Sequence, residues 1–320
     1  MTNKERETGS TKIGVVGVGR VGATFAYTLL LRGVVGEIVL VDLNKDRAQG
    51  EAMDLSHAAP LTYPERIRAG GYEDLSGARI VMIAAGASQR EGKSRLDLLK
   101  RNIEVFRSVV PKVVKHSPQA ILLVATNPVD LLSYAAWKLS GLPAERVIGS
   151  GTVLDTARFR HLLGDRLDVD PRNIHGYIIG EHGDSEVAAW SRTTVAGIPL
   201  NEYCTRCGCG FPEEERNRLF EQTKNAAYEI ISRKGSTYYA VAAALARIVE
   251  AILHDQRSIL SVSTRVPEAI GLGELYLSLP AIIGSSGVER VLSLPLSKGE
   301  DHALHRSADV LRGILEGLQL

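Results

Sequence analysis

The apolar residues of the first 150 positions fall into short, nearly continuous blocks, separated by stretches in which they recur every three or four residues. Ile13–Gly17, Glu37–Val41, Arg79–Ala85 and Ala120–Val124 are blocks of the first kind and predict strands apolar on both faces. Phe25–Leu31 and the series Leu99, Ile103, Phe106, Val110 and Val113 are of the second kind and predict helices. Strands alternating with helices in this way predict an α/β unit, a Rossmann-type doubly wound parallel sheet covered on both sides.

The second half is less regular. A helix is expected over 154–163, strands over 174–179, 186–190 and 193–196, and helices from Pro212 to about Ile231 and from Tyr238 to about His254. Strands return at 258–264 and 275–283, and the last twenty residues place Leu304, Ala308, Leu311 and Leu315 on one helical face. The expected organisation is a frayed tail over 1–10, the α/β domain over 11–150, and an α+β domain over 151–320.

Composition adds mostly exclusions. The chain has 320 residues, 44% hydrophobic and 23% charged, with a net charge of +1, so no electrostatic partner such as nucleic acid or an anionic membrane is expected. No apolar run is long enough for a membrane span, and the polar segment 1–11 lacks the apolar stretch of a secretory signal. The three cysteines, Cys204, Cys207 and Cys209, are an odd number without an export signal, which fits a reducing cytoplasm. A fourth ligand within ten residues is missing, so no metal is expected there.

Gly17-Val18-Gly19-Arg20-Val21-Gly22 carries the first chemistry. It follows a strand and opens a helix, where glycines let a pyrophosphate approach the backbone and the helix N-terminus. Asp42 closes the second strand twenty residues after Gly22. A carboxylate there accepts from a ribose 2′-hydroxyl and repels a 2′-phosphate, which favours NAD over NADP.

A second set of segments offers a proton carrier and charged groups that could grip an anion. His182, in Gly180-Glu181-His182-Gly183-Asp184-Ser185, is the proton candidate, because an imidazole titrates near neutral pH. A lone histidine is more often structural, so it needs a partner. Asp155 would orient the ring and stabilise its charged form. Arg158, one turn further along the same helix face, would bind a carboxylate bidentately, although without further context the expected outcome for this pair is a solvated Asp155–Arg158 ion pair. The polar segment beginning at Gly86, with a lid at about 86–97, and Thr126-Asn127-Pro128-Val129-Asp130 both follow strands at the ligand-binding edge of such a sheet.

Together these segments resemble the lactate/malate dehydrogenase family, and within it the bacterial fructose-1,6-bisphosphate-activated lactate enzymes. The match runs from the glycine turn to the terminal helix. The resemblance implies a cytoplasmic homotetramer that interconverts pyruvate and L-lactate with NAD in glycolysis and fermentation. It implies His182 as proton donor and acceptor oriented by Asp155, Arg158 as carboxylate clamp, and Arg95 as the lid arginine that polarises the carbonyl. Asn127 would place substrate and nicotinamide, and Thr237 would line the substrate pocket. Gly17, Val18, Gly19, Gly22, Asp42, Tyr72, Gly86, Ala87, Thr126 and Asn127 would line the cofactor groove. Arg160 and His175 match the positions that bind the activator's phosphates at a two-fold subunit interface.

Gln89 separates lactate from malate enzymes in this resemblance, since malate enzymes resemble one another in having arginine six positions before the lid arginine. A neutral Gln89 would strand a second carboxylate in the site and reject oxaloacetate. Arg90 is adjacent, and a one-residue shift of the loop would present it instead. Two rivals remain open at this point: an enzyme for larger 2-oxo acids, and a catalytically silent NAD-binding protein.

Overall fold

The computed structural model describes residues 11–63, 66–87 and 95–318, with Arg95 described by its backbone alone. The expected tail and most of the expected lid lie outside the described residues. The first half runs β1 (Lys12–Val16), α1 (Arg20–Arg32), β2 (Glu37–Val41), α2 (Lys45–Ala58), β3 (Arg66–Ala69), β4 (Ile80–Ile83), α3 (Arg95–His116), β5 (Ile121–Val124), α4 (Val129–Ser140) and β6 (Val147–Gly149). These six strands are parallel in the order β3-β2-β1-β4-β5-β6, the doubly wound arrangement expected from the alternating pattern.

The strand pattern explains why both faces are covered. Ile13, Val15, Ile38, Leu40, Ile80, Met82, Ile121 and Leu123 point to one side, where Phe25, Leu29 and Leu30 of α1 pack over them. Their neighbours Val16, Val39, Val41, Val81, Ile83, Leu122 and Val124 point to the other, beneath Phe106, Val110 and Val113 of α3. Each of these large side chains contributes roughly 1.5–3 kcal/mol by leaving water.

The chain continues through α5 (Val153–Leu167), β7 (Ile174–His175), β8 (Ile178–Ile179), β9 (Val187–Ala188), β10 (Thr194–Val195), β11 (Ile198–Pro199), α6 (Leu200–Cys207), α7 (Glu213–Lys234), α8 (Tyr239–Leu253), β12 (Ser258–Arg265), β13 (Tyr276–Gly284), β14 (Gly287–Val291) and α9 (Lys298–Glu316). The central sheet runs on past β6: Gly149 meets Ser263, so antiparallel β12, β13 and β14 extend it to nine strands. The strand expected over 174–179 is two strands, because β7 pairs with β10 and β8 pairs with β9 in separate small sheets. Pro212 caps α7 rather than lying inside it, and that helix runs on to Gly235, whose left-handed φ of 83° ends it. Among the described residues no helix is long and apolar enough to cross a membrane.

Candidate active site

β1 and β4 lie side by side, and their chains leave the sheet in opposite directions, which opens a crevice at their carboxyl ends. A groove of about 1400 Å³ occupies it, lined by Gly17 to Gly22, Asp42, Tyr72, Ala84 to Ala87 and Gly235 to Thr237. Gly17 is required by local geometry. Its φ is 96°, and a Cβ there would sit 2.4 Å from the Ala85 backbone nitrogen. At Gly19 a Cβ would meet nothing within 4 Å, so its absence leaves open room for a ligand at the start of α1. Asp42 accepts from Val18 N at 2.7 Å and from Asn44 N at 2.9 Å, which fixes the carboxylate at the groove edge. These residues suit a dinucleotide: backbone and a helix N-terminus for phosphates, and a held carboxylate for a ribose diol.

A titratable cluster forms where the first turns of α4 and α5 meet the turn between β8 and β9. α5 presents Asp155 and Arg158 on one face, and the turn between β8 and β9 brings His182 to them. Asp155 is shared: Oδ1 accepts from Arg158 Nη1 at 2.9 Å, and Oδ2 accepts from His182 Nδ1 at 2.6 Å. The Asp155 side chain is only 4% exposed, and that of Arg158 only 13%. The Asp155–Arg158 ion pair anticipated as solvated is therefore real but buried, and its carboxylate has a second partner. Burial opposes the charge on Asp155, but His182 and Arg158 hold its carboxyl below the usual range. Burial also opposes the imidazolium of His182. The charge and hydrogen bond of Asp155, with Asp130 and Glu186 adding, override it and push the ring up to about 9. Nδ1 is thus the donor to Asp155, and Nε2 is left for other chemistry.

The histidine's loop is tied to further elements besides α5. His182 N donates to Asp130 Oδ2 at 2.7 Å from α4, and Ser278 on β13 donates to Asp130 Oδ1 at 3.2 Å. Burial pushes the Asp130 carboxyl up to about 6. Glu181 N donates to Ser307 Oγ of α9 at 2.8 Å, and Tyr228 of α7 donates to Asp184 at 2.9 Å. Asn102, buried in α3, joins the two loops at the groove: its Oδ1 accepts from Ala87 N at 2.7 Å and its Nδ2 donates to Asn127 O at 3.0 Å. Thr126 Oγ1 donates to Ala85 O at 2.8 Å across the same junction. Asp130, Asn102 and Ser307 were not singled out from sequence. Asp130 carried a signal, as the acid that closes Thr126-Asn127-Pro128-Val129-Asp130 in the first turn of α4.

Of the remaining expected residues, Tyr72 and Thr237 line the groove, while Asn127 is exposed beside it. Gln89, Arg90 and the Arg95 side chain lie outside the described residues. Arg160 and His175 lie away from the groove. Arg160 Nε donates to Gly176 O at 3.0 Å, which puts it beside the His175 segment, with its guanidinium 5.3 Å from the Tyr177 ring centroid. The three cysteines are free: Cys204 and Cys207 on α6, Cys209 just after it. Among the described residues Asp155, His182 and Glu186 form one acid–histidine cluster, and its chemistry is taken up below.

Comparison with known proteins agrees with this geometry. Residues 11–149 match the NAD-binding domain model of lactate/malate dehydrogenase, and residues 152–319 match the α/β C-terminal domain model of the same family. An L-lactate dehydrogenase of Thermoanaerobacter sp. (strain X514) is 52% identical over 309 residues, spanning 97% of this chain and 99% of that protein. One from Clostridium botulinum is 52% identical over 312 residues, spanning 98% of each. The crystal structure of a minor L-lactate dehydrogenase from Enterococcus mundtii superimposes with a TM-score of 0.94 at 42% identity, covering 98% of this chain and 99% of that one. With both of its domain models matched in order and relatives similar from end to end, the chain belongs to the lactate/malate dehydrogenase family.

Proposed function

We propose that the chain is an NAD-dependent L-lactate dehydrogenase, reducing pyruvate to L-lactate and running the reverse reaction. The observation that carries this reading is the buried Asp155 carboxylate shared between His182 and Arg158. It sets a proton carrier and a cation able to bind a carboxylate side by side, in a chain that also carries a groove suited to a dinucleotide, which is what reduction of a 2-oxo acid needs.

Gly17, Gly19, Gly22 and Asp42 would hold the phosphates and ribose of NAD, with Val18, Tyr72, Gly86, Ala87 and Thr126 beside them, and the bound cofactor would supply or take up the hydride at substrate C2. Arg158 pairs with the pyruvate carboxylate through its fork, and Arg95 polarises the C2 carbonyl. Asn127 and Thr237 fix the substrate's orientation. His182 donates the Nε2 proton to the carbonyl oxygen as C2 is reduced, ends neutral, and regains a proton from solvent. Asp155 keeps the ring in the tautomer with Nδ1–H and supports its charged form. Asp130 holds the loop that carries it.

Gln89 makes pyruvate rather than oxaloacetate the substrate, since a second carboxylate in the site would have no cation to meet. The reading further divides the chain into an NAD-binding domain over 11–150 with a lid at about 86–97 and a substrate domain over 151–320. It makes the protein a cytoplasmic homotetramer activated by fructose 1,6-bisphosphate. The support for the last point is that Arg160 is held against the backbone of Gly176, next to His175 in the chain, so that the two groups repeated across a two-fold axis would form a cationic pocket.

The test is pyruvate-dependent oxidation of NADH by the wild type and by His182→Asn. Turnover is expected in the first and a loss of at least about a hundredfold in the second, the usual scale for a proton carrier. A wild type that binds NADH yet turns over no pyruvate would refute the reading.

A further inference from the structure

Glu186 sits at the edge of the histidine site without a task in the mechanism above. It immediately precedes β9 and is 6% exposed, and its Oε1 has no hydrogen-bond partner. One of its oxygens, an Asp155 oxygen and a His182 ring nitrogen all lie within 4.8 Å of one another. The Asp155–His182 hydrogen bond already occupies Nδ1, so the cluster as it stands shares protons.

The charges around Glu186 come from three sides. α5 contributes Asp155 and Arg158, the β8–β9 turn contributes His182, and α7 contributes Lys224. Behind His182 stand Asp130 of α4 and Glu181. Burial, and then the Asp155 charge, push the Glu186 carboxyl up to about 8, against the opposing pull of His182, Lys224 and Arg158.

We propose that Glu186 is a positioning residue that carries a proton at neutral pH and, on losing it, holds the His182 imidazolium charged into the alkaline range. The inference rests on His182 being the proton carrier. The proton balance is simple: Glu186 releases its proton to solvent, no substrate bond is involved, and the new carboxylate within 4.8 Å of the ring stabilises its positive charge. Asp155 supplies the permanent part of that stabilisation, and Glu186 supplies a part that grows as pH rises. The two titrations are coupled, so neither group has a private midpoint.

The experiment follows the KM for pyruvate from pH 6 to 10 in the wild type, Glu186→Gln and Glu186→Asp. In Glu186→Gln the alkaline rise in KM should begin about one pH unit lower, since one of the ring's charged neighbours is gone. Glu186→Asp, which restores the charge, should recover at least half of that displacement. A purely structural role would change rates at every pH and leave the midpoint in place, so superimposable profiles for wild type and Glu186→Gln would overturn the proposal. Should Glu186→Gln fail to fold, infrared spectra of the wild type decide instead. A protonated-carboxyl carbonyl band at pH 7 that is lost by pH 9 is expected, and its absence overturns the proposal. A wild type inactive with pyruvate removes the functional reading, and the infrared band then decides the protonation of Glu186 by itself.

Discussion

Asp155→Asn removes one charge and leaves the side chain's size unchanged, so its effect can be worked from the geometry. In the wild type the carboxylate lies 2.6 Å from His182 Nδ1, and the ring is pushed up to about 9. At pH 7 about 99% of the protein then carries the imidazolium. Without Asp155, burial acts on a ring helped only by Asp130 and Glu186, and a buried histidine falls below its ordinary value, to ~5 on the scale of a one- to two-unit burial shift. The charged fraction at pH 7 would then be about 1%, a loss of roughly a hundredfold in kcat/KM for pyruvate, or about 2.7 kcal/mol. The sign follows directly. Pyruvate reduction needs the proton, so wild-type activity is lost as pH rises through about 9, and the variant's is lost as pH rises through ~5. The variant should therefore regain activity on acidification towards pH 5 while the wild type stays flat. NADH affinity should be unchanged, since Asp155 does not line the cofactor groove. The assay is steady-state NADH oxidation from pH 5 to 10, with NADH fluorescence to check that the fold persists. A variant that keeps more than about a third of wild-type kcat/KM at pH 7 would refute the reasoning, as would a large loss that is independent of pH.

Other consequences are open to measurement. Gln89→Arg should raise oxaloacetate turnover and lower pyruvate turnover, by about a hundredfold in their ratio on the scale of an unpaired buried charge; an unchanged ratio in kinetic assays would remove Gln89 from the site. Asp42→Asn keeps an acceptor for a backbone nitrogen but loses the charge, so the NADPH-to-NADH preference should rise at least about tenfold, or ~1.4 kcal/mol; fluorescence titration with both cofactors would detect it. Arg160→Gln with His175→Asn should abolish activation by fructose 1,6-bisphosphate while leaving activator-free turnover in place, and a retained activation would exclude that pocket. Glu186 and His182 are both held above their ordinary values, to about 8 and about 9. Each therefore binds its proton more tightly folded than unfolded, and its stabilisation is lost as pH rises, from about 4.5 to 8 for the glutamate and 6.5 to 9 for the histidine. The ligand-free melting temperature should fall between pH 7 and 9, and a rise would contradict the assignment.

Strands β1, β2, β4 and β5 were legible because both of their faces are buried, which leaves uninterrupted apolar blocks. β3 was not, because Arg66 and Arg68 interrupt it: Arg68 is there to pair with Glu37 at 2.9 Å on an edge strand with only one neighbour. Helix α2 escaped notice for a related reason, since it buries only Ala48, Ala52 and Leu55 and is polar elsewhere. Helix α4 buries Asp130 and Ser133 among its apolar residues, which breaks up the stripe, and three-residue β6 is too short to signal itself. The glycine turn and Asp42 were readable since their chemistry is local. The histidine site was readable only as a list of parts. His182, Asp155 and Asp130 are separated by up to 52 positions, and their juxtaposition depends on where α4, α5 and the β8–β9 turn meet. Asn102 and Glu186 act through contacts that no spacing encodes, so only the fold reveals them.

The most direct measurement compares kcat/KM for pyruvate and oxaloacetate, with NADH as reductant at pH 7, in the wild-type protein. A preference for pyruvate of about a hundredfold or more is expected from a site with one carboxylate clamp, Arg158, and a neutral Gln89. Equal rates, or a preference for oxaloacetate, would mean that a second cation reaches the substrate, and the assignment of this site to pyruvate would be wrong.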